Sequence, residues 1–280
     1  MAAKYGHLPP GFDQWEISSA KGWSVAHEAA RYGTLPDRFD RWDIKEPSGP
    51  GHFRTTVAHI AVRNGHLPAG FDRWELADED GNSVAHDAAR AGHLPPGFDK
   101  WELENYKGSS VAHVAAGHGR LPPGFDRWGI SDNTGWSVAH AAAMWGHLPQ
   151  GFTRWEIVTQ DGWSVAHAAA LGRYGLPAGF DRWGISDNEG RSVAHMAAVS
   201  GHLPQGFTKW ELVDRYGRSV AHVAAYFGNL PDNFDRWGFR DEKGRTVADA
   251  AVEGRRDQHD HLKYFIKYYP LKGEPGYPGR

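Results

Sequence analysis

"RSVAHMAAVSGHLPQGFTKWEL" (191–212) decides the fold, because its V-A-H core returns eight times along a chain of 280 residues. The recurring histidines are His27, His59, His86, His113, His140, His167, His195 and His222, at steps of 32, 27, 27, 27, 27, 28 and 27 residues. A ninth copy, TVADAA, carries Asp249 where the histidine would stand. The unit reads G-x-S-V-A-H-x-A-A-x-x-G-H-L-P-x-G-F-D-R-W-x-I-x-D-x-x and fills residues 6 to about 255. Self-similarity at a fixed period marks a repeat architecture, in which each short unit buries its apolar face only against its neighbours. The expected fold is therefore mainly α: a repeat solenoid of short helices and turns with a tryptophan-ladder core. One array should span 1–255, opening on a half unit over 1–20. A capping helix is expected over 256–270, followed by a flexible tail over 271–280.

Two places break the rhythm. KEPSGPGHFRT (45–55) holds five extra residues and LGRYGLP (171–177) holds one. Insertions that preserve the period on both sides must leave the stack as surface loops, which either carry binding residues or are simply tolerated.

Within one unit, Ser192 reads as the N-cap of a short helix ending at Ser200 before Gly201, with Ala194, Ala197 and Ala198 allowing close approach of neighbours. Such a helix is too short to hold alone in water, so its stability must come from stacking. L-P-x-G-F then reads as a turn, and D-R-W-x-I leaves room for about one helical turn or an extended stub. The residue after each Phe is Asp in most copies but Thr153 and Thr208 in two, which suggests a side-chain oxygen capping a helix. The next residue is basic in nearly every copy (Arg41, Arg73, Lys100, Arg127, Arg154, Arg182, Lys209, Arg236), and Glu16, Glu75, Glu102, Glu156 and Glu211 follow two residues later in five. A solvated, locally paired face fits that pattern better than a phosphate-binding ladder. A tryptophan recurs in all nine copies, from Trp15 to Trp237. Each ring can bury roughly 150 to 250 Å², so these are core.

GRSVAHMAAVSGH (190–202) resembles the first half of an ankyrin repeat, G-x-T-P-L-H-x-A-A-x-x-G-H. Gly190, Ser192, His195, Ala197, Ala198, Gly201 and His202 fall in register, and DGWSVAHAAA (161–170) matches similarly. The resemblance implies that the hydroxyl caps the helix while the histidine bonds back to the cap and to the neighbouring turn, with Ser24, Thr56, Ser83, Ser110, Ser137, Ser164, Ser192 and Ser219 as the caps. The chain departs from that family in writing Val-Ala for Pro-Leu. Its period is also 27 where ankyrin repeats have 33, which implies a truncated second helix.

The eight histidines are accordingly expected to be structural pegs. One histidine per layer does not supply the three or four convergent ligands that zinc requires, and His7, His66, His93, His147 and His202 form only a second, broken series. No metal, cofactor or catalytic residue is expected. A serine and a histidine three apart in every helix cap cannot all be nucleophile and base.

Function is sought where the copies differ. The residue before the cap is Trp23, Thr55, Asn82, Ser109, Trp136, Trp163, Arg191, Arg218 and Arg245 in turn, and two helices end in Met144–Trp145 and Tyr226–Phe227. Ankyrin-like geometry would line a concave face with such positions, which makes Trp136, Met144, Trp145, Trp163, Arg191, Arg218, Tyr226, Phe227 and Arg245 candidates for binding a protein partner with acidic and apolar character. A net charge of −3 from 31 basic and 34 acidic residues gives no polycationic footprint for nucleic acid, and no 18 apolar residues are consecutive, so neither nucleic acid nor membrane is expected. Disulfides are excluded by the absence of cysteine. The expected function is a non-enzymatic, cytoplasmic protein-binding scaffold, with leaderless secretion left open. Head-to-tail self-association is the alternative, and a histidine-rich metal binder the third reading.

Overall fold

A computed structural model describes residues 2–18, 23–45 and 55–256. The loop expected at 45–55, apart from its end residues, lies outside the described residues, as do the capping helix and tail expected beyond residue 256. Among the described residues there are nine α-helices: α1 Val25–Tyr32, α2 Val57–Arg63, α3 Val84–Ala91, α4 Val111–Gly117, α5 Val138–Trp145, α6 Val165–Leu171, α7 Val193–Ser200, α8 Val220–Phe227 and α9 Val247–Arg256. The chain divides into two compact units, with α1–α4 in the first and α5–α9 in the second. Within each unit every helix packs on the next, as a helical-repeat solenoid requires.

Each helix is too short for propensity to hold it, so its ends must be fully satisfied. In α7 the Val193 and Ala194 amides donate to the Ile185 and Trp183 carbonyls of the preceding segment, at 2.8 and 3.2 Å. The Ser192 amide donates to His195 Nδ1 and the His195 amide turns back to the Ser192 carbonyl, so no amide of the first turn is orphaned. At the other end Gly201 adopts φ +74°, and the His202 amide closes on the Ala197 carbonyl at 2.8 Å.

The second half of the unit differs from expectation. It forms neither a helical turn nor an extended stub but two successive turns. In Pro204–Gln205–Gly206–Phe207 the Phe207 amide meets the Pro204 carbonyl at 3.1 Å, and Gly206 has the positive φ, +78°, that the third residue of a type II turn needs. A second turn then brings the Trp210 and Leu212 carbonyls onto the start of α8. With no helix beginning at this point, the Asp or Thr after each Phe has no N-terminus to cap. The helix-cap expectation for Thr153, Thr208 and their aspartate equivalents is therefore withdrawn.

From α3 onward the chain makes a tight reversal ahead of the cap, held by one antiparallel bridge as at Ser186–Ser192 and Val213–Ser219. Side chains lock it. Asp187 accepts from the Glu189 and Arg191 amides at 2.9 Å each, and Asp214 repeats the pattern. Neighbouring tips are joined by single backbone bonds, such as Arg215 to Glu189 at 3.0 Å and Asn188 to Asp161 at 3.2 Å.

Behind the helices runs an aromatic zipper that a tryptophan-only ladder did not anticipate. In the second unit Trp128, Phe152, Trp155, Phe180, Trp183, Phe207, Trp210, Phe234 and Trp237 alternate edge to face, with centroids 5.1–5.5 Å apart. The first unit has the same chain of contacts from Phe12 to Phe125. Each Trp is thus gripped by the Phe of its own turn and of the next, the edge-to-face geometry that aromatic quadrupoles favour. Trp237 is the exception at 43% exposed, because no L-P-x-G-F segment follows it.

Candidate functional site

The recurring histidines sit where α-helix, hairpin and the following layer meet, and six of them are wholly buried: His27, His59, His86, His140, His167 and His195. At His195, Nε2 faces the Arg218 carbonyl of the next layer at 3.0 Å, so that nitrogen carries the proton. Nδ1 is then an acceptor and takes both the Ser192 amide, at 3.0 Å, and the Ser192 hydroxyl, at 2.7 Å. The same reach into the next layer joins His27 to Thr55, His59 to Asn82, His86 to Ser109, His140 to Trp163, His167 to Arg191 and His222 to Arg245. Burial holds the His59, His86 and His167 rings below their ordinary pKa and brings His195 down to about 4. Carbonyl bonds and nearby carboxylates such as Asp214 oppose this without offsetting it. The serines are equally enclosed, from Ser164 and Ser110 at 0% to Ser83 at 4% exposed, with their hydroxyls committed to the ring. No solvent-accessible nucleophile results from this pairing.

The second histidine series makes a different contact. His66, His93 and His202 point Nδ1 at the Ala30, Val62 and Ala170 carbonyls, at 3.0, 2.6 and 3.1 Å, which lie at the C-terminal ends of α1, α2 and α6 in the layer before. Arg120 and Asn229 do the same from the equivalent position, to Ala91 and Ala198. This position therefore requires only a donor, which explains its variable identity. Among the described residues no three potential ligand side chains gather as a metal would need.

The candidate partner-binding residues separate into two groups. Trp163, Arg191, Arg218 and Tyr226 are buried, with Arg191 7% and Arg218 5% exposed. Trp163 tilts over His167 at 5.9 Å, and the Arg191 guanidinium lies 5.6 Å from the Trp163 ring centre. Arg191 and Arg218 also pair with Asp187 and Asp214 four residues back, at 2.6 Å, carboxylates that are themselves enclosed. The position before the cap thus covers the peg histidine and braces the hairpin. Trp163, Arg191 and Arg218 belong to the scaffold rather than to an open face. Trp136, Met144, Trp145, Phe227 and Arg245 are half-buried. Trp136 lies over His140 at 4.9 Å, and Arg245 pairs with Asp241 and Glu253.

What remains accessible is the outer edge of the helices. In α5–α8 the fourth and fifth residues after the peg histidine are Met144 and Trp145, Leu171 and Gly172, Val199 and Ser200, then Tyr226 and Phe227, all half-buried except Gly172 and Tyr226. The one-residue insertion adds to this edge: the Arg173 amide donates to the Met144 carbonyl at 3.0 Å, and the Tyr174 ring, 66% exposed, covers Gly146. The sequence marked the insertion but gave no signal of where its tyrosine would land. The basic row on the opposite part of the unit pairs between layers rather than within one. Arg41, Lys100, Arg182 and Arg236 reach Glu16, Glu75, Glu156 and Glu211 of the preceding repeat.

No protein-family model matches the chain, and no curated protein does. Among the described residues no helix is long and apolar enough to cross a membrane.

Proposed function

We propose that the chain is a non-enzymatic protein-binding scaffold, a short-period variant of the ankyrin architecture, and that the second unit docks an apolar segment of a partner protein. The reading is carried by one observation: the accessible helix edge at Met144, Trp145, Leu171, Val199 and Phe227 is apolar in successive layers. A solvent-facing helix position is ordinarily polar. Leu171, Val199 and Phe227 also pack against the core, but the repeat does not require an apolar residue four after the histidine, where α1–α3 carry Arg31, Arg63 and Arg90. Exposed Tyr174, brought in by the insertion, extends the edge with the amphipathic ring type that dominates binding hot spots. The peg histidines and buried cap serines support a non-catalytic role for the repeated chemistry.

The test compares wild-type chain with Met144→Glu and Phe227→Glu. A partner isolated on the wild type and then measured by calorimetry should bind both variants at least tenfold more weakly while their Tm stays near wild type, a loss of about 1.4 kcal/mol or more. Undiminished affinity would place binding elsewhere. Light scattering over a concentration series covers the alternative occupant: a dimer abolished by Phe227→Glu would mean that a second copy takes this edge.

A further inference from the structure

The first unit presents a different edge. Arg31, Arg63 and Arg90 occupy the same helix position, four residues after the peg histidine, in three successive layers, and all three are exposed. Arg63 and Arg90 are held from below by one carboxylate. Asp87, itself 1% exposed, takes Arg63 Nε at 2.6 Å and an Arg90 terminal nitrogen at 2.8 Å. A guanidinium has five N–H donors, so each keeps an outward edge. In the layer before, the residue equivalent to Asp87 is Ile60, and among the described residues Arg31 has no carboxylate in ion-pair range. Arg31 instead lies within cation–π range of two rings, 5.6 Å from the Trp23 centroid and 5.7 Å from that of Tyr32. Such a contact uses no N–H donor, so the guanidinium keeps its fork for a carboxylate. Of the other charged groups, Glu28 lies in the first turn of α1 and Arg120, beyond the end of α4, is engaged with the Ala91 carbonyl, so the row keeps an excess of positive charge.

We propose that this row binds an extended acidic segment of a protein, with carboxylates at every third residue. Packed helices lie about 8 to 10 Å apart, which sets the spacing at which the three arginines leave the backbone. A polyproline II segment has three residues per turn and rises about 3.1 Å per residue, so its side chains return to one face every 9 Å or so. A β-strand returns to one face every second residue, near 7 Å, and falls out of step with the row. This site is separate from the apolar edge of the second unit and does not depend on it.

The probe is a fluorescein-labelled peptide with glutamate at every third position in a proline-rich frame, titrated against the full chain by anisotropy at low ionic strength. Affinity should fall about tenfold for Arg31→Ala, fall further for Arg31→Glu, and be partly kept by Arg31→Lys, which retains charge but not the fork. Arg31→Ala breaks no ion pair among the described residues and gives up only exposed ring contacts, so its melting temperature should stay close to wild type and the loss of binding reads the site itself. Glutamine in place of glutamate should abolish binding, and the same number of glutamates at every second position should bind several-fold more weakly. Equal affinity for the two spacings, or full binding by Arg31→Ala, would overturn the proposal. So would a single-stranded oligonucleotide that binds more tightly than the peptide and depends on Arg31.

Discussion

His195 uses both ring nitrogens at once, accepting the cap at Nδ1 and donating into the next layer at Nε2. Asp249, which replaces the histidine in the last copy, keeps only the first of these functions. Its carboxylate accepts the Thr246 amide and hydroxyl at 2.8 and 2.7 Å, and those bonds lower its pKa, but it has no proton to send forward. The residue that ends the histidine series is thus one that can cap but cannot peg. The same accounting assigns Arg218 to stability. Removing it leaves the enclosed Asp214 carboxylate with only its two backbone bonds, so Arg218→Ala should cost about 3 kcal/mol, visible as a lower urea midpoint at unchanged slope. A stability within about 0.5 kcal/mol of wild type would mean that the pair is solvated and the residue free to bind. Arg31→Ala, with no carboxylate to strand, should leave that midpoint unmoved.

The helix and its caps were legible in the sequence because they rest on local chemistry: a serine, a histidine three residues on, and a glycine at a left-handed position. The second half of the repeat was not. Its turns are defined by what they contact, and nothing in L-P-x-G-F-D-R-W states that its Phe will grip the Trp of the preceding repeat. The pre-cap residues misled for a related reason. Variation from Trp to Arg looks like a changing surface, yet both side chains shield the same histidine, by stacking in Trp163 and by pairing with Asp187 in Arg191. The aromatic zipper gives this element its own test. Trp183 is 8% exposed between Phe180 and Phe207, so Trp183→Ala should cost about 3 to 5 kcal/mol, whereas Trp237→Ala, with one flank open, should cost markedly less. Equal losses in thermal unfolding would mean that the edge-to-face contacts add nothing beyond local burial. Gly190 tests the hairpin in the same way. At φ +73°, with the Arg215 amide nitrogen 3.0 Å from where a Cβ would sit, Gly190→Ala should destabilise its tip and the bond from Arg215 to Glu189.

Across the whole chain the peg is repeated, so its response to pH is repeated too. Histidines held neutral by burial bind protons more readily once unfolded, where the pKa is near 6.5. Their contribution is therefore complete above pH 6.5 and declines as pH falls, until the folded ring itself protonates, near 4 for His195. Between those limits each such histidine weakens folding by about 1.4 kcal/mol per pH unit. His59, His86 and His167 are shifted in the same direction, so the losses should add across layers and appear well before the carboxylates titrate. Protonation at His195 must give up an acceptor that serves two donors, the Ser192 amide and hydroxyl, and so should unlock the stack. Denaturant titrations from pH 7.5 to 4.5 should show stability falling more steeply below about 6.5 than one or two titrating groups allow. A flat profile over the window would mean that the rings bind protons alike in the folded and unfolded chain, and their assignment as buried neutral pegs would fail with it.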